Sequence, residues 1–190
     1  MEDDVIYAKT PFTVLRFEDF SRRIDLMEKR VQQTSTTFGC MSYQTSQPLF
    51  IKASIPFSMY IPDQKIRATI YIDNRCGFEV SKTTLSLKRK HIFTSMKPEK
   101  RTVSHEKTIA KAIYEGVKNK MSKKILASIT VPSLTLTSSN VSKICQLNYV
   151  LCVQAAVVGF LKKPSVQFEI FIGRTALNYE HKLNEKLTNI

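Results

Sequence analysis

From residue 66 to residue 72 every second side chain is apolar: Ile66, Ala68, Ile70 and Ile72, with Arg67, Thr69 and Tyr71 between them. A repeat of two is the signature of a β-strand with one face buried. The same alternation returns at Ile125, Ala127, Ile129 and Val131, at Cys145, Leu147, Tyr149, Leu151 and Val153, and at Val166, Phe168, Ile170 and Ile172. Helical spacing is not sustained anywhere long enough to build a bundle. The chain is therefore expected to be all-β. A run of strands joined by short connections has to bury one face of each, and a two-sheet antiparallel sandwich does that.

Turn residues divide the chain into about seven strands. Residues 12–17 read as a short strand, and 18–47 as a polar connector in which a short helix over 21–30 is one option. A strand opens at Leu49-Phe50-Ile51 and closes at Ile55-Pro56. Tyr60-Ile61-Pro62-Asp63-Gln64 reads as a turn, since proline presets φ there. Residues 80–93 form a long strand with Leu85 and Leu87 on one face and Ser86, Lys88 and Lys90 on the other. Lys97-Pro98-Glu99-Lys100 is its hairpin tip and 102–114 the return arm. Residues 115–124 read as a polar loop and 132–140 as a Ser/Thr-rich crossing. Pro164 marks the turn before the last strand, which ends at Gly173. This gives three segments: an N-terminal strand and connector over 1–47, a sandwich over 48–173, and a polar tail over 174–190.

Twenty-nine basic side chains against 16 acidic ones give a net charge of +13 across 190 residues. That excess favours anionic partners. The most apolar run, residues 150–161, is interrupted by Gln154 and is too short to span a bilayer as a helix. The acidic start, Met1-Glu2-Asp3-Asp4, has no signal-peptide core. Cys40, Cys76, Cys145 and Cys152 form no CxxC pair, so reduced thiols in a cytoplasmic setting are expected rather than a disulfide or zinc site. Cys145 and Cys152 stand seven apart on one strand and so point to opposite faces, where they cannot bridge each other, and both are expected as buried free thiols.

Nothing in the chain assembles a catalytic group. His91 sits among Arg89, Lys90 and Phe93 with His105 on the facing arm of the hairpin, whereas a general base usually needs a nucleophile or carboxylate beside it; these two and His181 read as surface histidines. Phosphate-cradling, nucleophile-elbow and metalloprotease motifs are missing. No catalytic, metal or cofactor residue is expected. Basic side chains are the candidates instead: Lys88, Lys90, Lys97, Lys100, Arg101, Lys123 and Lys124 as an anion- or lipid-binding set on the long hairpin and its sequel. The competing reading of the same residues is a solvated face that blunts sheet edges. The aromatics fall mostly in apolar strands, so no nucleic-acid stacking platform is expected.

The order of these signals resembles the C-terminal domain of arrestins. Ile55-Pro56, Tyr60-Ile61-Pro62, Ile66 and Ile72-Asp73-Asn74 resemble its opening, a strand leading through a proline turn to a strand that ends in asparagine. Val80 and Lys82 resemble the start of its long third strand, Ile129-Thr130-Val131-Pro132-Ser133 its apolar-Pro segment, and Phe168-Glu169-Ile170-Phe171-Ile172-Gly173 its closing strand. Pro11-Phe12-Thr13-Val14 is similar to the entry segment of the α-arrestin branch. Asp63 stands where the family usually has glycine, and the loop 115–124 lacks the cysteine by which some relatives bind thioredoxin. The resemblance implies an immunoglobulin-like sandwich and a non-catalytic adaptor. Such an adaptor would be cytoplasmic, recruited to plasma membrane or endosomes, and would link receptors or transporters to endocytosis and ubiquitylation. The tail 174–190 has none of the proline-tyrosine motifs that recruit ubiquitin ligases, so a fragment, or a member without that tail, is expected.

Overall fold

The structure, a computed structural model, describes residues 23–40, 43–44, 47–95, 99–133 and 144–173. The expected strand over 12–17, the tail 174–190, Lys97 and His181 lie outside them. Two sheets face each other. One has four strands in the order β1 (Arg30–Thr36), β4 (Leu49–Ile55), β6 (Lys65–Asn74) and β9 (Met121–Thr130). The other has five, in the order β5 (Met59–Tyr60), β11 (Ser165–Ile172), β10 (Cys145–Val157), β7 (Val80–Ser95) and β8 (Arg101–Val117). A small ribbon of β2 (Gly39–Cys40) and β3 (Tyr43–Gln44) follows β1. All pairings are antiparallel except the short parallel contact of β11 with β5.

The core is built from the alternating series. Ile66, Ala68, Ile70 and Ile72 of β6 meet Leu85 and Leu87 of β7, Leu151 and Val153 of β10, and Phe168 and Ile170 of β11 in one continuous apolar cluster. Each leucine or isoleucine removed from water there contributes about 1.5–3 kcal/mol.

Three expectations are corrected. The connector 18–47 contains a 3-10 turn, Ile24–Met27, and then the whole of β1, which pairs with β4 from Arg30↔Ile55 to Thr36↔Leu49. β1 is an edge strand with exposed residues on both faces, so it carries no alternation. The turn before it is fastened from both sides: Leu26 is buried against Met59, and its carbonyl accepts a hydrogen bond from Ser58 N–H at 2.8 Å. The polar loop 115–124 is mostly strand. β8 runs to Val117 and β9 starts at Met121, leaving a tight turn with Lys120 at φ 61° that crosses from one sheet to the other. Third, Cys145 is exposed, while Cys152 and Cys76 are buried.

Two polar groups tie the sheets at this end. Asn74, fully buried, donates through Nδ2 to the carbonyls of Phe78 (2.8 Å) and Val117 (3.0 Å), and its Oδ1 accepts from the Cys76 thiol at 3.1 Å. The Tyr114 hydroxyl donates to Ser128 C=O at 2.9 Å and accepts from Ser128 N–H at 2.8 Å, linking the edge strands β8 and β9. Gly116 makes the crossing possible: a Cβ on it would stand 1.7 Å from the Val80 carbonyl oxygen.

Candidate anion-binding face

Residues 80–95 of β7 show one side chain to each face in turn. Leu85 and Leu87 enter the core, so Thr84, Ser86 and Lys88 look outward from the five-stranded sheet. Lys82 shares that outer face by the same even spacing, while the register shift between Ala156 and Val157 in the ladder with β10 turns Val80 inward, where it is buried. Across the ladder with β8, Ser86 stands opposite Lys111 and Lys88 opposite Thr108. On the other flank Thr84 stands opposite Gln154. The turn after β10 folds back, Ala155 N–H donating to Pro164 C=O at 3.0 Å, and brings Lys163 to the same place. The result is a groove of about 240 Å³ lined by Lys82, Lys88, Lys111 and Lys163, with Thr84, Ser86, Thr108 and Gln154 between them.

Of the four lysines in the groove, Lys88 is the one paired with a carboxylate among the described residues. Its Nζ lies 2.6 Å from Glu106 Oε1, and this hydrogen bond holds the ammonium pKa above its ordinary value against the opposing effect of burial. Among the described residues Lys82, Lys111 and Lys163 make no ion pair. Several lysines held on a hydrogen-bonded sheet beside hydroxyl and amide groups suit a ligand with several anionic oxygens, since each supplies donors without accepting. Beneath them Cys152 is buried, and that burial pushes its thiol pKa up, which keeps it protonated and unreactive.

The residues singled out from sequence are dispersed. Lys88 lines the groove, and Lys90 lies two residues further along the same outer face. Lys100 and Arg101 are at the far end of the hairpin, where Arg101 approaches Glu99 at 3.7 Å. Lys123 and Lys124 belong to the opposite sheet. Lys123 is drawn to Glu115 at 2.6 Å, and Lys124 stands beside Tyr71 in the β6–β9 ladder. The two sheets pack about 10 Å apart, so the outer face that carries Lys124 looks away from Lys88. Sequence reasoning missed Lys82, Lys111 and Lys163 as partners of Lys88. The first two carried a signal, the even spacing on β7 and an opposite position on β8; Lys163 is brought in only by the turn after β10.

Family membership follows from the same ordered strands. Residues 45–177 match the family model of the arrestin (or S-antigen) C-terminal domain. The chain belongs to the arrestin family. A search of the curated proteins finds no match. Within this arrestin domain the asparagine that ends the second strand has a physical role, since Asn74 closes the β6–β8 crossing. Asp63, in the place usually held by glycine, sits at φ 65° between Pro62 and Gln64, a left-handed position that aspartate tolerates. β1 precedes the matched residues and completes the four-stranded sheet. No helix among the described residues is long and apolar enough to cross a membrane.

Proposed function

We propose that this domain works as the non-catalytic interaction half of an arrestin-type trafficking adaptor of the α-arrestin branch. It holds membrane receptors, transporters or signalling proteins in the cytoplasm and at the plasma membrane or endosomes, and links them to endocytosis and ubiquitylation. The observation that carries this reading is the match of residues 45–177 to the arrestin C-terminal domain, a family that generally scaffolds rather than catalyses. The entry segment Pro11-Phe12-Thr13-Val14 favours the α branch. Affinity capture of detergent-solubilised membranes by the chain tests it. Enrichment of integral membrane proteins, lost when Gly116→Ala disrupts the sheet crossing, supports the reading; recovery of none sinks it.

A second reading is favoured by the groove of Lys82, Lys88, Lys111 and Lys163: recognition of inositol phosphates or phosphoinositide headgroups on an anionic membrane. Lys90, Lys100, Arg101, Lys97, Lys123 and Lys124 would then add long-range attraction rather than direct contacts. Sedimentation with vesicles containing phosphoinositide, repeated over a series of ionic strengths, tests it. Binding that ignores salt or anionic lipid content contradicts it.

A further inference from the structure

β4 and β6 part company before β6 ends. Their ladder runs from Leu49↔Asn74 to Ser54↔Thr69 and stops, while β6 continues back to Lys65 with β9 alone as partner. The next position of β4 to face β6, opposite Arg67 in this register, is occupied by Pro56. Proline has no N–H to give, so the ladder opens there.

The direction of the freed groups can be worked out. Gln64 C=O accepts from Val131 N–H at 2.9 Å, so the Gln64 carbonyl points toward β9. Alternation along an extended strand then turns the N–H and C=O of Lys65 and of Arg67 the other way, into the gap that β4 has left. Among the described residues no turn, loop or side-chain hydrogen bond reaches them. The gap is a groove of about 1040 Å³. Its apolar surface comes from Pro56, Phe57 and Leu126, the last 77% exposed. Its rim carries Lys29, Lys65 and Arg67; no carboxylate lines it, and none of the three makes an ion pair among the described residues.

We propose that this opening receives an extended, acidic segment of a partner protein, which adds to β6 as a strand in the place vacated by β4. Main-chain pairing with Lys65 and Arg67 supplies the binding direction, apolar residues on the inner face of the segment cover Phe57, and alternate carboxylates on its outer face reach Lys29, Lys65 and Arg67. The free edge over 65–68 spans about 13 Å at 3.3 Å per residue, which selects a short linear motif of four or five residues. The inference deepens the adaptor reading by giving one partner a surface and a chemistry.

The test uses the full chain, labelled for amide NMR, and a capped hexapeptide alternating glutamate with valine. Protection of the Lys65 and Arg67 amides on peptide addition is expected. Lys65→Glu with Arg67→Glu, both on an exposed surface, should weaken binding at least tenfold. A hexapeptide alternating glutamate with proline has the same charge but cannot pair as a strand, and it should leave both amides unprotected. Equal binding of the two peptides overturns the proposal, as does unchanged affinity in the double variant. Self-association of the chain that the double variant abolishes overturns it too, because a second copy would then be the occupant. Membrane-protein capture that survives the double variant removes the groove and leaves the adaptor reading standing. Peptide protection without any such capture does the reverse.

Discussion

The β7–β8 ladder is one continuous pairing from Val80↔Val117 to Ser95↔Arg101, yet its two halves live in different surroundings. In the inner half Val80, Thr83, Leu85 and Leu87 are buried and the opposite sheet covers them. In the outer half every residue of β8 from Arg101 to Thr108 is exposed, and Phe93 and Val103 are left 45% and 65% exposed. A register irregularity between Leu87 and Lys88 marks the change. The inner half therefore offers charges on a stiff platform, with spacing fixed by the sheet. The outer half carries more cations, Lys88, Arg89, Lys90, Arg101 and Lys107 against Lys82 and Lys111, but on an arm with little core beneath it. Net charge alone does not separate these situations; burial of the opposite face does.

Breaking the inner half should be costly. Gly116→Ala forces a Cβ against the Val80 carbonyl, and backbone has to move; a loss of about 3 kcal/mol or more is expected in urea denaturation. Asn74→Ala, at the root of the ladder, leaves the Phe78 and Val117 carbonyls without their donor. It should cost about 2–3 kcal/mol with an unchanged m-value.

The outer half should respond weakly, and differently. His91 stands opposite His105, and burial, then Arg89, then His105 lower its pKa below the ordinary 6.5. A folded-state pKa below the unfolded one makes the neutral form the stabilised one. Its contribution is present above pH 6.5 and is lost as pH falls through that value toward the folded pKa. Thermal melts between pH 7.5 and 5.5 should show this loss, and His91→Gln should flatten it. Val103→Ala, on the exposed edge, should change stability by no more than about 0.5 kcal/mol.

How much of this is visible in the sequence follows the same division. β6, β9, β10 and β11 announce themselves because one face of each is covered and the other is wet. β1 does not, since an edge strand reading Arg30-Val31-Gln32-Gln33-Thr34-Ser35-Thr36 has no buried stripe. The polar run 115–124 conceals two strand ends, because at the rim of a sandwich neither face is fully covered. The arrangement of Pro56 opposite Arg67 depends on a pairing register, and registers come from contacts far apart in the chain. Density of cations along the chain points to the hairpin tip. The groove depends instead on side chains from β7, β8 and the turn after β10 sharing one face.

That difference is open to direct measurement. Calorimetric titration with inositol hexakisphosphate, at fixed moderate salt, compares two variants of equal charge loss. One carries Lys82→Gln, Lys111→Gln and Lys163→Gln, the other Lys90→Gln, Lys100→Gln and Arg101→Gln. With about 1 kcal/mol for each lysine at the site, the groove variant should bind roughly a hundredfold more weakly, and the arm variant within about threefold of the parent. Equal losses, or a larger loss from the arm, would contradict the assignment of anion recognition to the buried-backed half of the ladder.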